Sequence, residues 1–317
     1  MRINLLPTDG NLYKANLHCH SKNYDSAAGL TPMQIKELYK SNGYNIIAFS
    51  EHEKLTYNNE LNDDGFMALP AFETGLFEPK TRKIIHFNCF PKHYGVKESY
   101  TNLEYSVENA NNRIQSLIEA GYLVMYNHPV SSFHESREFL NIKGVFAMEI
   151  FNNVVEVINR TGWSDVYYDM MLRNGHRLWA IAADDCHAGT EYPVITPVDT
   201  PYSDCMGGFV MINANDLTHA SIITALENGS FYACVGKNGK APQIHDMYIE
   251  DGIFYADFSS VKSVYLKNST WHCPHKLSYN EDITHVEFEI MNDWSYIRLE
   301  IVDANGHKAL GNPYFIE

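Results

Sequence analysis

The chain has 317 residues, 45% hydrophobic and 20% charged, a composition that excludes disordered, collagen-like and disulfide-scaffold classes. Lys and Arg number 24 against 39 Asp and Glu, a net charge of −15 with no basic cluster, which argues against binding an extended nucleic acid. No apolar run approaches the ~18 residues of a membrane span. Residues 1–12 are too short and polar for an export signal, and six scattered cysteines without a CxxC pair fit reduced thiols in a cytoplasmic protein.

In chain order, β-type runs are predicted at 15–21, 45–52, 68–75, 84–90, 123–128, 145–151, 178–184 and 208–213. They are continuous apolar runs rich in Ile, Val, Phe and Tyr, as strands buried on both faces of a parallel sheet are. Helices fall between them. Thr31-Pro32 opens one that Asn42-Gly43 closes, a second runs from Asp165 to Asn174-Gly175, and a third from Asp216 to Asn228-Gly229. Strand–helix repetition implies right-handed crossovers, and seven or eight strands suit a barrel better than an open sheet. After about Lys240 the pattern changes to short β runs at 246–249, 253–258, 263–266, 285–290 and 296–302. The expected organisation is therefore an α/β barrel over residues 1–240, with a small all-β module over 241–317 docked tightly on it.

The chemistry-bearing residues cluster at strand ends. His18 and His20 lie two apart, so on a strand both imidazoles face the same side. Alone, such a pair is equally well one buried hydrogen-bonded histidine and one exposed histidine. The theme recurs, however. Asp25 follows in the first loop, His52 ends the second strand and Glu73 lies near the end of the third. His86 sits on the next strand, His128 ends the one after, and Asp185 with His187 closes the run ending at Asp184. Parallel barrels place functional groups at these C-terminal strand ends. Nine donors on six strands are hard to assign to packing, because buried Asp25, Glu73 and Asp185 need compensating cations and no Lys or Arg stands beside them. Divalent metal ions supply that charge, and the mixed imidazole and carboxylate set suits zinc, manganese or iron. Cys19 and Cys186 fall on the opposite strand face and read as packing, Cys273 as part of a loop, and His134 and His176 as surface residues. Trp271, Tyr279, Trp294 and Tyr296 read as core or interface aromatics rather than a sugar platform.

The run Leu17-His18-Cys19-His20-Ser21 with Asp25, then Ser50-Glu51-His52, Glu73, His86, Asn127-His128-Pro129 and Asp185-Cys186-His187 resembles the PHP (polymerase and histidinol phosphatase) superfamily over roughly residues 13–240. The tail around 298–313 resembles the β-rich module of its two-domain members, including the carbaryl-hydrolase-like branch. The resemblance implies a distorted (β/α)7 barrel with up to three divalent ions. His18, His20, Glu73 and Asp185 would hold one ion; Glu73 would bridge to a second on His86 and His128; Asp25, His52 and His187 would hold the third. Glu51 replaces the family's usual Asp, Ser26 its Gly and Asp184 its Ser; Glu51 and Asp184 are expected to orient ligating imidazoles.

The implied activity is hydrolysis of a small phosphate ester or nucleotide by a metal-bound hydroxide, with Asp184 or His187 moving the leaving-group proton. Arg160 is the candidate cationic clamp, and a solvated surface charge is its competing reading; Ser131 and Ser132 are candidate hydroxyl donors. The alternatives are a carboxylic or carbamate ester hydrolase using the same site, and a metal-binding module without turnover.

Overall fold

The computed structural model describes residues 2–96 and 103–316. In chain order it forms β1 (Ile3–Asn4), β2 (Asn11–Cys19), α1 (Pro32–Ser41), β3 (Ile46–Phe49), β4 (Met67–Pro70), β5 (Phe72–Phe77), β6 (Ile84–Pro91), α2 (Val107–Glu119) and β7 (Tyr122–Tyr126). There follow α3 (Ser136–Phe139), β8 (Ala147–Asn152), α4 (Asn153–Asn159), α5 (Asp165–Arg173), β9 (Trp179–Ala183), β10 (Thr190–Glu191), β11 (Val194–Ile195), β12 (Gly208–Ala214), α6 (His219–Asn228) and β13 (Phe231–Val235). Beyond residue 240 come β14 (Ile244–Glu250), β15 (Ile253–Val261), β16 (Ser263–Asn268), β17 (His275–Leu277), β18 (Ile283–Glu289), β19 (Tyr296–Val302), β20 (Lys308–Gly311) and β21 (Tyr314–Phe315).

Local chemistry explains the ends of these elements. Thr31 caps α1 by accepting from Gln34 N, Gln34 Oε1 accepts from Thr31 N in return, and Pro32 stands at the first helical position. Thr218 caps α6, two residues after the expected start at Asp216, and Gly229 ends it in the left-handed region at φ 70°.

Strands β2, β3 and β4 run parallel, as do β7, β8 and β9. Strands β5, β6 and β7 are antiparallel, and β12 is antiparallel to β2. The expected closed (β/α)7 barrel is not formed. One sheet runs β17-β16-β19-β20-β13-β12-β2-β3-β4 and a second runs β5-β6-β7-β8-β9. Where the chain leaves β9 and where it enters β12, side chains bond the backbone. Asp184 accepts from the backbone N–H groups of Met206, Gly207 and Gly208 at 2.7–2.8 Å, and Asn16 Oδ1 accepts from Asp184 N at 3.0 Å. Gly208 also crosses the Ala183 backbone so closely that a Cβ would meet Ala183 O at 2.4 Å. At the mouth the two sheets touch through single parallel bridges, Cys19 to Cys186 and His52 to Glu73.

The strands after residue 240 are antiparallel, and no helix lies among the described residues there. Strands β14, β15 and β18 form a sheet with β1, whereas β16, β19 and β20 continue the large sheet from β13. Buried Arg298 clamps this region to α5 through a two-pronged contact with Asp169, both bonds 2.8 Å. Asn312 ties it to Ala180, Gly229 and Phe231. Trp294 and Tyr296 are core residues, but Trp271 and Tyr279 stand 94% and 97% exposed, so they belong to no core. No helix among the described residues is long and apolar enough to cross a membrane.

Candidate metal centre

Strand pleating sets the first pair. Cys19 points into an apolar cluster, so His18 and His20 point together the other way, both essentially buried. His52 follows β3, Glu73 lies on β5, His86 on β6, His128 just after β7, and Asp185 and His187 just after β9. All nine expected donors meet in one pocket, in three overlapping groups. His18, His20 and Glu73 form one group; Glu73, His86 and His128 a second; His20, Asp25, His52 and His187 the third. Asp185 joins the first, its Oδ1 lying 3.2 Å from His18 Nε2 and 3.1 Å from His20 Nε2. The His20 ring stands between His52 and His187, with centroids 4.5 and 4.6 Å away.

Distances and charge both bear on what this pocket can hold. Metal–ligand bonds of about 2.1 Å place neighbouring ligand atoms about 3.0 Å apart in an octahedron and about 3.4 Å apart in a tetrahedron. The two Nε2 atoms of His18 and His20 are 3.2 Å apart, His20 Nε2 to Glu73 Oε2 is 3.5 Å, and His128 Nε2 to Glu73 Oε1 is 3.4 Å. Asp25 Oδ2 lies 3.5 Å from Nε2 of both His52 and His187. Asp185 Oδ1 and His20 Nδ1 are buried without a well-formed hydrogen bond. Among the described residues, the ion-pair partners of Asp25, Glu73 and Asp185 are histidines alone. The residues therefore fit divalent cations in spacing, donor chemistry and missing positive charge.

Burial alone would raise the carboxyl pKa of Glu73 and Asp185, but the surrounding imidazoles reverse this and hold both well below the usual range. Hydrogen bonding to His187 likewise lowers Asp25. Burial and the neighbouring His187 push His20 down to about 3, leaving a neutral donor ring.

Several residues that hold the donors in place are not legible as site residues in the sequence. Glu149 on β8 accepts from His18 Nδ1 at 2.7 Å, which directs His18 Nε2 toward the pocket. Its other oxygen accepts from His128 N and Asn152 Nδ2, both at 2.9 Å. Asn127 donates to Glu73 at 2.8 Å, and Asn152 donates to Asp185 at 3.1 Å. His187 Nδ1 is turned to the Asp185 carbonyl at 2.7 Å, so its Nε2 faces Asp25. Ser132, one of the two expected hydroxyl donors, sits 3.1 Å from His128 Nδ1. Gly75 pairs with His86 across β5–β6, and a Cβ there would meet His86 Cδ2 at 2.3 Å. Only glycine leaves His86 room to lean onto Glu73, 2.9 Å from its Nδ1.

Other expectations are corrected. Asp184 is turned from the donors: its oxygens accept from three backbone N–H groups and the Tyr39 hydroxyl, and no imidazole is a hydrogen-bond partner of its carboxylate among the described residues. Arg160 is 79% exposed, ends α4 in a left-handed turn and pairs with Glu156 at 3.5 Å, as its competing reading as a solvated surface charge expects. Glu51 is buried but grips Ser21 through its N and Oγ rather than an imidazole, holding the loop between His20 and Asp25. His134 is buried between the Tyr126 hydroxyl and the Ile84 carbonyl. A buried arginine does stand near Glu73: Arg113 reaches Thr74 at 3.0 Å and Glu53 at 3.8 Å.

A fourth donor group, Cys186, Asp204 and Cys205, lies beneath the His187 turn. Asp204 is used by His187 N, Ala188 N and Thr196 Oγ1. The two thiols are 3.3 Å apart and have pKa values raised by contact with neighbouring thiols and by burial, so this group is packing.

No family model matches the chain, and no curated protein does. The solved structures similar to it include two with metal-dependent phosphoesterase descriptions. One, from Bacteroides vulgatus, is described as a two-domain protein containing a predicted PHP-like metal-dependent phosphoesterase; it shares 14% identity, 99% of this chain and 97% of its own, with a TM-score of 0.47. The other, from Bifidobacterium adolescentis, is described as a presumed metal-dependent phosphoesterase; it shares 11% identity, 60% of this chain and 95% of its own, with a TM-score of 0.40.

Proposed function

We propose that the chain is a metal-dependent phosphoesterase of the PHP type, acting on a small phosphate ester at a centre of three divalent ions. The observation that carries this reading is that the donor groups adjoin: Glu73 belongs to two of them and the His20 ring borders two, so ions held by neighbouring groups would lie side by side. Ions a few ångströms apart would grip a phosphoryl group from both sides, supply Lewis acidity and lower the pKa of bound water towards ~7. Zinc, manganese and iron all suit the donors.

In this reading His18, His20, Glu73 and Asp185 hold one ion, and Glu73 with His86 and His128 a second. Asp25, His52 and His187 hold the third, beside the His20 ring. The side chains also define the approach. His18, His20 and Glu73 are sealed from water, whereas the His52 and His86 side chains are 45% and 20% exposed and line the mouth. His187 Nδ1 is fixed on the Asp185 carbonyl, so its Nε2 would serve the third ion and could move a proton only while that ion is absent. Residues 241–317 are proposed as a module buttressing the α5 side, and the free cysteines accord with a cytoplasmic location.

Metal-loaded protein assayed with p-nitrophenyl phosphate, bis-p-nitrophenyl phosphate and an aryl acetate tests the reading. Phosphate ester turnover that chelation abolishes supports it. Turnover of the acetate alone would favour a carboxylic ester hydrolase, and bound ions without any turnover a binding module.

A further inference from the structure

An anion-binding group is missing from the centre just described. The site is rich in carboxylates, Arg160 is paired with Glu156, and Arg113 is engaged with Thr74 and Glu53. Two loops meet at the mouth where Asp25 Oδ2 approaches His52 Nε2 at 3.5 Å. Tyr24 immediately precedes Asp25, and Lys54 follows His52 by two residues. Lys54 Nζ lies 4.2 Å from the Tyr24 ring centroid, so the same two loops make a second contact just outside the donors. Both side chains are exposed.

The backbone directs Lys54 there. Glu53 adopts a left-handed φ of 52° and turns its carboxylate onto Thr74 Oγ1 and Gly75 N at 2.8–3.0 Å. Its charge is thereby used on β5, and the next side chain leaves on the other side, over Tyr24. Lys54 makes no ion pair among the described residues. By contrast Lys36, Lys40, Lys83, Lys92, Lys262 and Lys308 each have a carboxylate partner. Consecutive Cα atoms are about 3.8 Å apart, so the Lys54 Cα is within about 7.6 Å of that of His52, a span that a four-carbon stem can cover. A ring face holds an ammonium without neutralising it, so its three N–H donors remain available to an anion.

We propose that Lys54, seated on the Tyr24 ring, binds the phosphoryl oxygens that project out of the centre, and so selects phosphate esters over neutral ones. This rests on the phosphoesterase reading for its biological meaning, but its test does not need turnover.

The test is calorimetric titration of inorganic phosphate into the full-length, metal-loaded protein, with metal content measured for every variant. Loss of a hydrogen bond to a charged group predicts that Lys54→Gln weakens phosphate binding about 10-fold or more at unchanged metal content. Lys54→Arg restores most of it, Tyr24→Phe stays within about twofold, and Tyr24→Leu falls between. With p-nitrophenyl phosphate, the KM of Lys54→Gln rises by the same factor while kcat changes less than about threefold. Phosphate affinity in Lys54→Gln within twofold of the parent, or no phosphate binding by the parent, overturns the assignment. Lys54-dependent phosphate binding without ester hydrolysis would sustain it and reject the phosphoesterase reading alone.

Discussion

Substituting Glu149 by Gln probes the centre without touching any expected ligand. The carboxylate accepts three hydrogen bonds, from His18 Nδ1 at 2.7 Å and from His128 N and Asn152 Nδ2 at 2.9 Å. A glutamine of the same shape has one oxygen and one NH₂, so it cannot serve both sides. If the NH₂ faces His18, the imidazole must carry its proton on Nε2, the atom turned to Glu73 and Asp185, and ceases to be a donor there. If it faces the other way, two buried N–H groups lose their acceptor at about 1–3 kcal/mol each. The cheaper route costs about 1.4–2.7 kcal/mol, or roughly 10- to 100-fold in metal affinity, in line with the loss of a carboxylate behind a ligating histidine. Competition with a chromophoric chelator at fixed pH, with elemental analysis after dialysis, measures this directly. An affinity within twofold of the parent would refute the role given to Glu149 and the tautomer it imposes on His18.

Four further outcomes follow from the same geometry. Gly75→Ala should displace His86, because the new Cβ would meet His86 Cδ2 and the Ile85 carbonyl at 2.3 and 2.4 Å; elemental analysis should then show loss of the ion on Glu73, His86 and His128 while the others remain. In metal-free protein, burial opposes the charged His187, but Asp25, Asp185 and Asp204 raise its pKa to about 9. Its folded pKa lies above the ordinary value, so its stabilisation is complete below about pH 6.5 and is lost as pH rises through about 9. The Tm of chelator-treated protein should therefore fall across that window, and less steeply in His187→Gln. Asp184→Ala should lower stability by about 3 kcal/mol or more in denaturant unfolding, since three backbone N–H groups and the Tyr39 hydroxyl lose their acceptor. Arg160→Ala, on an exposed turn, should stay within about 0.5 kcal/mol and keep parental turnover.

The strands were legible because they are short, apolar and strongly punctuated, and the nine donors because each falls at or near the end of one of them. Helices α1, α5 and α6 announce themselves by Thr31-Pro32, Asn174-Gly175 and Gly229. Helix α2 gives a weaker signal, since its sequence from Val107 to Glu119 is rich in Asn and its cap Ser106 follows an unremarkable run. Closure of the sheet was not legible, because it turns on where two side chains, Asn16 and Asp184, send their oxygens. Asp184 next to Asp185 looks like a second acid for the centre. Both lie beyond the end of β9, however, where Asp185 takes a left-handed φ of 53°, and Asp184 became a clamp for the segment entering β12. Arg160 shows the same limit, since proximity to a strand end in sequence gives no direction for a long side chain. Glu149 escaped notice for the opposite reason: a lone carboxylate inside Ala147–Asn152 carries no spacing that marks it.

The most direct measurement is an anomalous-scattering map of crystals loaded with manganese or zinc, paired with elemental analysis of the same protein. The account predicts three peaks per chain: one among His18, His20, Glu73 and Asp185, one among Glu73, His86 and His128, and one among Asp25, His52 and His187. A map without peaks in that pocket at saturating metal, or with peaks only at sites remote from these nine side chains, would contradict it.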